Sequence, residues 1–148
     1  MRRNIQALLL GALALVASAC DENLSSIAGP TPNLSPNFAS IQRDVLGAGD
    51  PTGRRACISC HTANGRTPTG GLNLDTADAY DRLVNGPSTR KTGAILVVPF
   101  NPEASYIIHK VEGRPDIVGG RMPFNGPYLS AGQILILKRW IEIGAPRN

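Results

Sequence analysis

The stretch Cys57-Ile58-Ser59-Cys60-His61 decides how this chain is read. Two thiols three positions apart fall on one side of a helical turn, and an imidazole follows at once. This is the C-x-x-C-H pattern of covalent haem attachment. Each residue type has a task in that chemistry. The thiols of Cys57 and Cys60 add to the two vinyl groups of one haem c and form thioethers. His61 then lies under the ring, where an imidazole nitrogen binds the iron. The cross-links make the cofactor part of the chain, so it cannot diffuse away outside the cell membrane. Rival readings lack parts. A thioredoxin-like C-x-x-C needs alternating strands and helices. A zinc site needs four ligands, and beyond the motif only His109 offers a fourth.

An electron carrier also needs a second axial ligand. Once Met1 leaves with a leader, Met122 is the only methionine, and His109 is the only other histidine. Met122 stands in Gly119-Gly120-Arg121-Met122-Pro123, a Gly/Pro loop able to bring backbone close to a flat ring. The reading therefore takes His61 and Met122 as the axial iron ligands. His109 reads as a histidine near a helix C-terminus, where the dipole favours a cation. Thioether ligation favours the ferrous state.

Upstream, Met1-Arg2-Arg3 gives a positive start, 8–17 is an uncharged apolar run, and Ala17-Ser18-Ala19 follows the A-x-A pattern. Residues 1–19 thus read as a secretory signal peptide. The run is too short for a membrane-spanning helix, which needs about 20 residues. Cys20 follows the cleavage point, and the stretch resembles a bacterial lipoprotein signal in which Cys20 is lipidated. Residues 20–36 are rich in Ser, Pro, Asn and Gly and read as a linker. The expected product is exported and periplasmic, tethered to a membrane by its N-terminal lipid.

Downstream, residues 37–148 form one expected domain. A helix is predicted over 37–46 with Phe38, Ile41 and Val45 on one stripe. Short helices follow over 56–62, 76–84 and 103–112, the last opened by Pro102. The apolar run 95–98 reads as a buried loop or a fragment of strand. The last helix is the clearest. Ser130 and Gln133 make a capping box, Ile134, Leu137, Trp140 and Ile141 repeat along one face, and Gly144 stops it. The fold class is all-α, with four to five short helices around one covalently bound haem.

The resemblance extends beyond the attachment motif. Gly70-Gly71-Leu72-Asn73-Leu74, the 99–106 segment, Arg121-Met122-Pro123, and 129–133 with 140–145 resemble, in order, the pattern of monohaem c-type cytochrome domains. That resemblance implies the cytochrome c fold, His61/Met122 ligation and one-electron transfer with redox partner proteins. It implies no enzymatic activity of the chain itself. A haem-based small-ligand sensor, or an electron-relay subunit of a larger oxidoreductase complex, is the alternative.

Several residues admit two readings. Trp140 shields the haem edge or packs between helices. Leu72 and Leu74 line the haem pocket or the general core. A carbonyl in 68–71 is a candidate partner for the second nitrogen of His61. Tyr128 or Asn125 is a donor to the Met122 sulfur or to a propionate, or else a turn residue. Arg54-Arg55, Arg90-Lys91, Arg114 and Arg121 form a basic rim or scattered solvated charge.

Composition agrees with a globular chain of 148 residues. The net charge of +4 includes Arg2 and Arg3 of the leader, so the remainder is close to neutral. No run of Lys and Arg exceeds two residues, which excludes a nucleic-acid-binding profile.

Overall fold

The computed structural model describes residues 31, 33–75 and 78–148. The signal segment 1–19, Cys20 and most of the stretch read as a linker lie outside the described residues. The described part of that stretch is docked. Leu34 is 3% exposed, and Thr31 Oγ1 accepts a 3.1 Å hydrogen bond from Gln133 Nε2.

Four α-helices are present among the described residues, and no strand. Helix α1 spans Phe38–Ile41, with the Asn37 side chain accepting the Ser40 N–H at its start. It continues as a π-helical turn over Gln42–Leu46, closed by a 2.8 Å bond from Gly47 N to Gln42 O. The widened turn keeps Phe38, Ile41, Val45 and Leu46 all buried. The span 37–46 is thus helical as predicted, with a looser second half.

Helix α2 spans Ala79–Leu83, and the first two positions of the helix predicted over 76–84 are not described. The 95–98 run then crosses the core as single bridges rather than a ladder. Val97 N donates to Leu83 O at 3.0 Å, and Tyr106 N donates to Ile95 O at 2.9 Å. Strand fragment and buried loop are therefore both partly right, and the run joins the end of one helix to the start of the next.

The helix predicted over 103–112 is divided. A 3-10 turn spans Pro102–Ala104 and helix α3 spans Tyr106–Glu112. The break is at Ser105, whose backbone is extended. Its buried hydroxyl accepts from Val98 N at 2.9 Å and donates to Asn101 O at 2.8 Å. Those bonds replace the helical continuation and dock α3 on the crossing run.

Helix α4 spans Ala131–Glu142 and carries the complete capping box of Ser130 and Gln133. Its buried face is Gln133, Ile136, Leu137, Trp140 and Ile141, whereas Ile134 is only half-buried. The inward stripe is rotated by the burial of Gln133. A buried amide is costly unless bonded. Here it bonds Ser130 N, Thr31 and Asp50.

An aromatic group joins three helices. Phe38 meets Tyr80 edge to face at 5.1 Å and Trp140 at 5.7 Å between ring centroids. Trp140 is fully buried, and its indole N–H donates to Pro146 O at 2.9 Å. It is a core tryptophan packed between helices. The C-terminal stretch closes over this group through Tyr80 Oη to Ala145 O (2.9 Å) and Ala39 N to Asn148 O (3.0 Å).

Arg54 departs from both readings of the basic residues. It is 1% exposed. Its guanidinium pairs with Asp50 at 2.9 Å and donates to the carbonyls of Asp44, Val45, Ala48 and Arg55. It is neither rim nor solvated charge, but the brace of the 44–55 loop that leads into the attachment motif.

Candidate functional site

Extended backbone at Ala56 leads into a single 3-10 turn over Cys57–Ser59, shorter than the helix predicted over 56–62. Cys60 N and His61 N both donate to Cys57 O, at 3.2 and 2.9 Å. Three chemically distinct groups are thereby gathered on one tight turn. Cys57 is half-buried and Cys60 exposed, and both are free thiols. Burial pushes the Cys57 thiol from 9.0 up to about 11, against the nearby charge of Arg54. It is therefore a neutral S–H at physiological pH.

His61 is oriented by the following loop. Its Nδ1 lies 2.9 Å from Thr69 O. A carbonyl only accepts, so Nδ1 carries the proton and Nε2 keeps its lone pair. This is the bond expected from a carbonyl in 68–71, and Thr69 supplies it. Burial lowers the His61 pKa, the Thr69 bond opposes that shift, and the positive charge of Lys110 adds to it. The outcome is a neutral imidazole with a fixed tautomer, the form that binds a metal. The loop is stitched back to the motif by Thr69 N to Cys60 O (3.1 Å) and Leu74 N to His61 O (2.9 Å). Leu74 is buried in the core and Leu72 half-buried against it.

Met122 is half-buried on the segment between α3 and α4. That segment is strapped to α3. Met122 N donates to Lys110 O at 2.8 Å and Val118 N to Tyr106 Oη at 2.9 Å. Lys110 Nζ donates to Val118 O at 2.9 Å and Gly120 O at 2.6 Å, while Arg121 Nε donates to Val111 O at 2.8 Å. Two glycines permit this close approach. A Cβ on Gly113, which has φ +75°, would stand 2.7 Å from Arg121 Cδ. One on Gly120 would meet the Phe124 ring at 2.9 Å. Tyr128 lies under the Arg121 guanidinium at 4.1 Å, and Asn125 takes a left-handed turn conformation.

His109 is committed elsewhere. Its Nδ1 lies 2.8 Å from Asp116 Oδ2 and its Nε2 2.8 Å from Glu103 O. Neither nitrogen is left for a metal. Lys91 and His109 hydrogen bonds draw the Asp116 carboxyl from 3.8 down to about 2. Of the residues read as a basic rim or solvated charge, Arg55 and Arg90 are exposed, whereas others are engaged within the chain. Lys91 pairs with Asp116 and Arg114 with Glu103 and Glu112. Arg121 stacks on Tyr128.

Among the described residues no group of three His, Cys, Asp or Glu side chains is placed to hold a metal ion. The motif therefore does not form a protein-only zinc centre. Haem c suits the donor set instead. It needs two unoxidised thiols on one turn and an imidazole beside them whose ring is held in place, and both are present. Exposed Phe124, Val118 and Tyr128 beside Met122 add apolar surface of the kind a porphyrin covers.

Sequence reasoning missed Tyr106 and Lys110 as the anchors of the Met122 segment. Both look like ordinary positions of a short helix, and no local spacing links them to a loop about a dozen residues on.

Residues 57–123 match the family model described as Planctomycete cytochrome C. No curated protein and no solved structure gives a significant match. The matched span begins at the first thiol of the attachment turn and ends just past Met122. Over that span the chain is similar to a cytochrome c-like domain.

Proposed function

We propose that this protein is a monohaem c-type cytochrome that carries single electrons on the extracytoplasmic side of a bacterial membrane. The observation that carries the reading is the bond from His61 Nδ1 to Thr69 O at 2.9 Å, on the turn that also presents two free thiols. Bound haem c supplies a one-electron ferric/ferrous couple. Cys57 and Cys60 would hold it by thioethers. His61 would bind the iron through an imidazole oriented by Thr69, and Met122 would supply its thioether from a segment that α3 holds in place. Such a ligand set suits carriage of electrons over substrate chemistry at the metal. Cys20 is the proposed lipidation site. The lipid would tether the domain to a membrane, within reach of redox partner proteins.

Optical and magnetic spectroscopy of the holo-protein tests the ligand set. A low-spin His/Met spectrum is expected, lost in Met122→Ala and kept in His109→Ala. A high-spin wild type that takes up carbon monoxide readily would overturn it in favour of a small-ligand sensor. Mass spectrometry of the mature N-terminus tests the tether, and an unmodified Cys20 overturns that part.

A further inference from the structure

We infer that Lys110 is the positioning residue for Met122, gripping the ligand-bearing segment with both its backbone carbonyl and its side-chain ammonium. The inference rests on the proposed His61/Met122 ligation and adds a residue that neither the motif nor the family match assigns. Its backbone carbonyl accepts the Met122 N–H at 2.8 Å. Its ammonium reaches the other way and donates to Val118 O at 2.9 Å and Gly120 O at 2.6 Å. One residue thus fixes 118, 120 and 122, three alternate positions of a Gly-rich stretch with little stiffness of its own.

A further observation points the same way. Among the described residues no carboxylate pairs with Lys110, although Lys91, Arg114 and Lys138 all have acidic partners. Its ammonium is committed instead to two carbonyls of the Met122 segment. Thioether ligation favours the ferrous state, so a firmer seat for Met122 also favours reduced iron.

The test compares wild type, Lys110→Met, Lys110→Arg and Met122→Ala as haem-loaded proteins. Readouts are the Met–iron charge-transfer band, the reduction potential, and amide hydrogen exchange at Val118 and Met122. In Lys110→Met, exchange at both amides should speed up about tenfold. The ferric/ferrous ratio at fixed potential should rise about tenfold, equivalent to 59 mV for one electron. The charge-transfer band should weaken. Lys110→Arg, which keeps charge and donors, should restore most of all three. Should Lys110→Met fail to load haem, Lys110→Gln takes its place, with a side chain too short to reach both carbonyls; faster exchange at Val118 and Met122 supports the inference, and wild-type exchange overturns it. If Met122→Ala alters the spectrum but Lys110→Met matches wild type in all three readouts, the Lys110 role is overturned and the ligation stands. If Met122→Ala leaves the spectrum unchanged, the ligation reading fails and this inference with it.

Discussion

The attachment turn and the Met122 segment present their ligands by opposite means. Around His61 the chain holds itself. Backbone groups of 57, 60, 61, 69 and 74 bond one another within 18 residues, and side chains close by in sequence, Ser59 on Ala56 O and Thr62 on Asp75, reinforce them. Around Met122 the segment contributes mainly its own backbone N–H and C=O groups, and the side chains of Tyr106, Lys110 and Arg121 tie it to α3. A ligand held by local backbone is written into a short motif. A ligand held by distant side chains can be displaced by changing residues that never touch it.

The largest effect that sharpens this contrast is chemical. Cys57→Ser combined with Cys60→Ser should abolish covalently held haem, read as complete loss of haem stain on a denaturing gel. Retained stain would break the account of the turn. Next is its brace. Arg54→Met leaves the Asp50 carboxylate buried without its cation and should destabilise the holo-protein by about 3–5 kcal/mol in denaturant unfolding. A change below 1 kcal/mol would show that the turn stands without its approach loop.

The same Asp50 predicts an acid window. Burial works to raise its carboxyl, but hydrogen bonds from Thr52, Gln133 and Arg54 outweigh it and bring it from 3.8 to about 2. A depressed carboxylate contributes stability above its unfolded value that is lost as pH falls through its folded value. Stability followed by circular dichroism should hold down to about pH 4 and decline toward pH 2. In Asp50→Asn that component of the decline should vanish. The smallest effect belongs to the other side. Tyr106→Phe removes one bond to Val118 and should cost about 1 kcal/mol. Exchange should speed up at the Val118 amide and not at that of His61; equal acceleration at both would erase the distinction between the regions.

That distinction also explains what could be read from the chain alone. The attachment turn, the capping box of α4 and the carbonyl partner of His61 depend on residues a few positions apart, so spacing reveals them. The break at Ser105 depends on a hydroxyl meeting Val98 across the core, and helical periodicity overrode it. The inward face of α4 was misjudged at Ile134 because Gln133 is buried through bonds to Thr31 and Asp50, far away in sequence. Arg54 was read as surface charge because its partners are mostly carbonyls, which any sequence offers everywhere. Lys110 escaped notice for the same reason.

The seam formed by Tyr80, Ala145, Ala39 and Asn148 joins parts far apart in sequence. Helices α1 and α2 already touch through Phe38 and Tyr80, and the bonds to Ala145 O and Asn148 O add a clasp that shuts only when the 145–148 stretch has folded back over them. Loosening that stretch would spare the aromatic contact and slacken both helices at once.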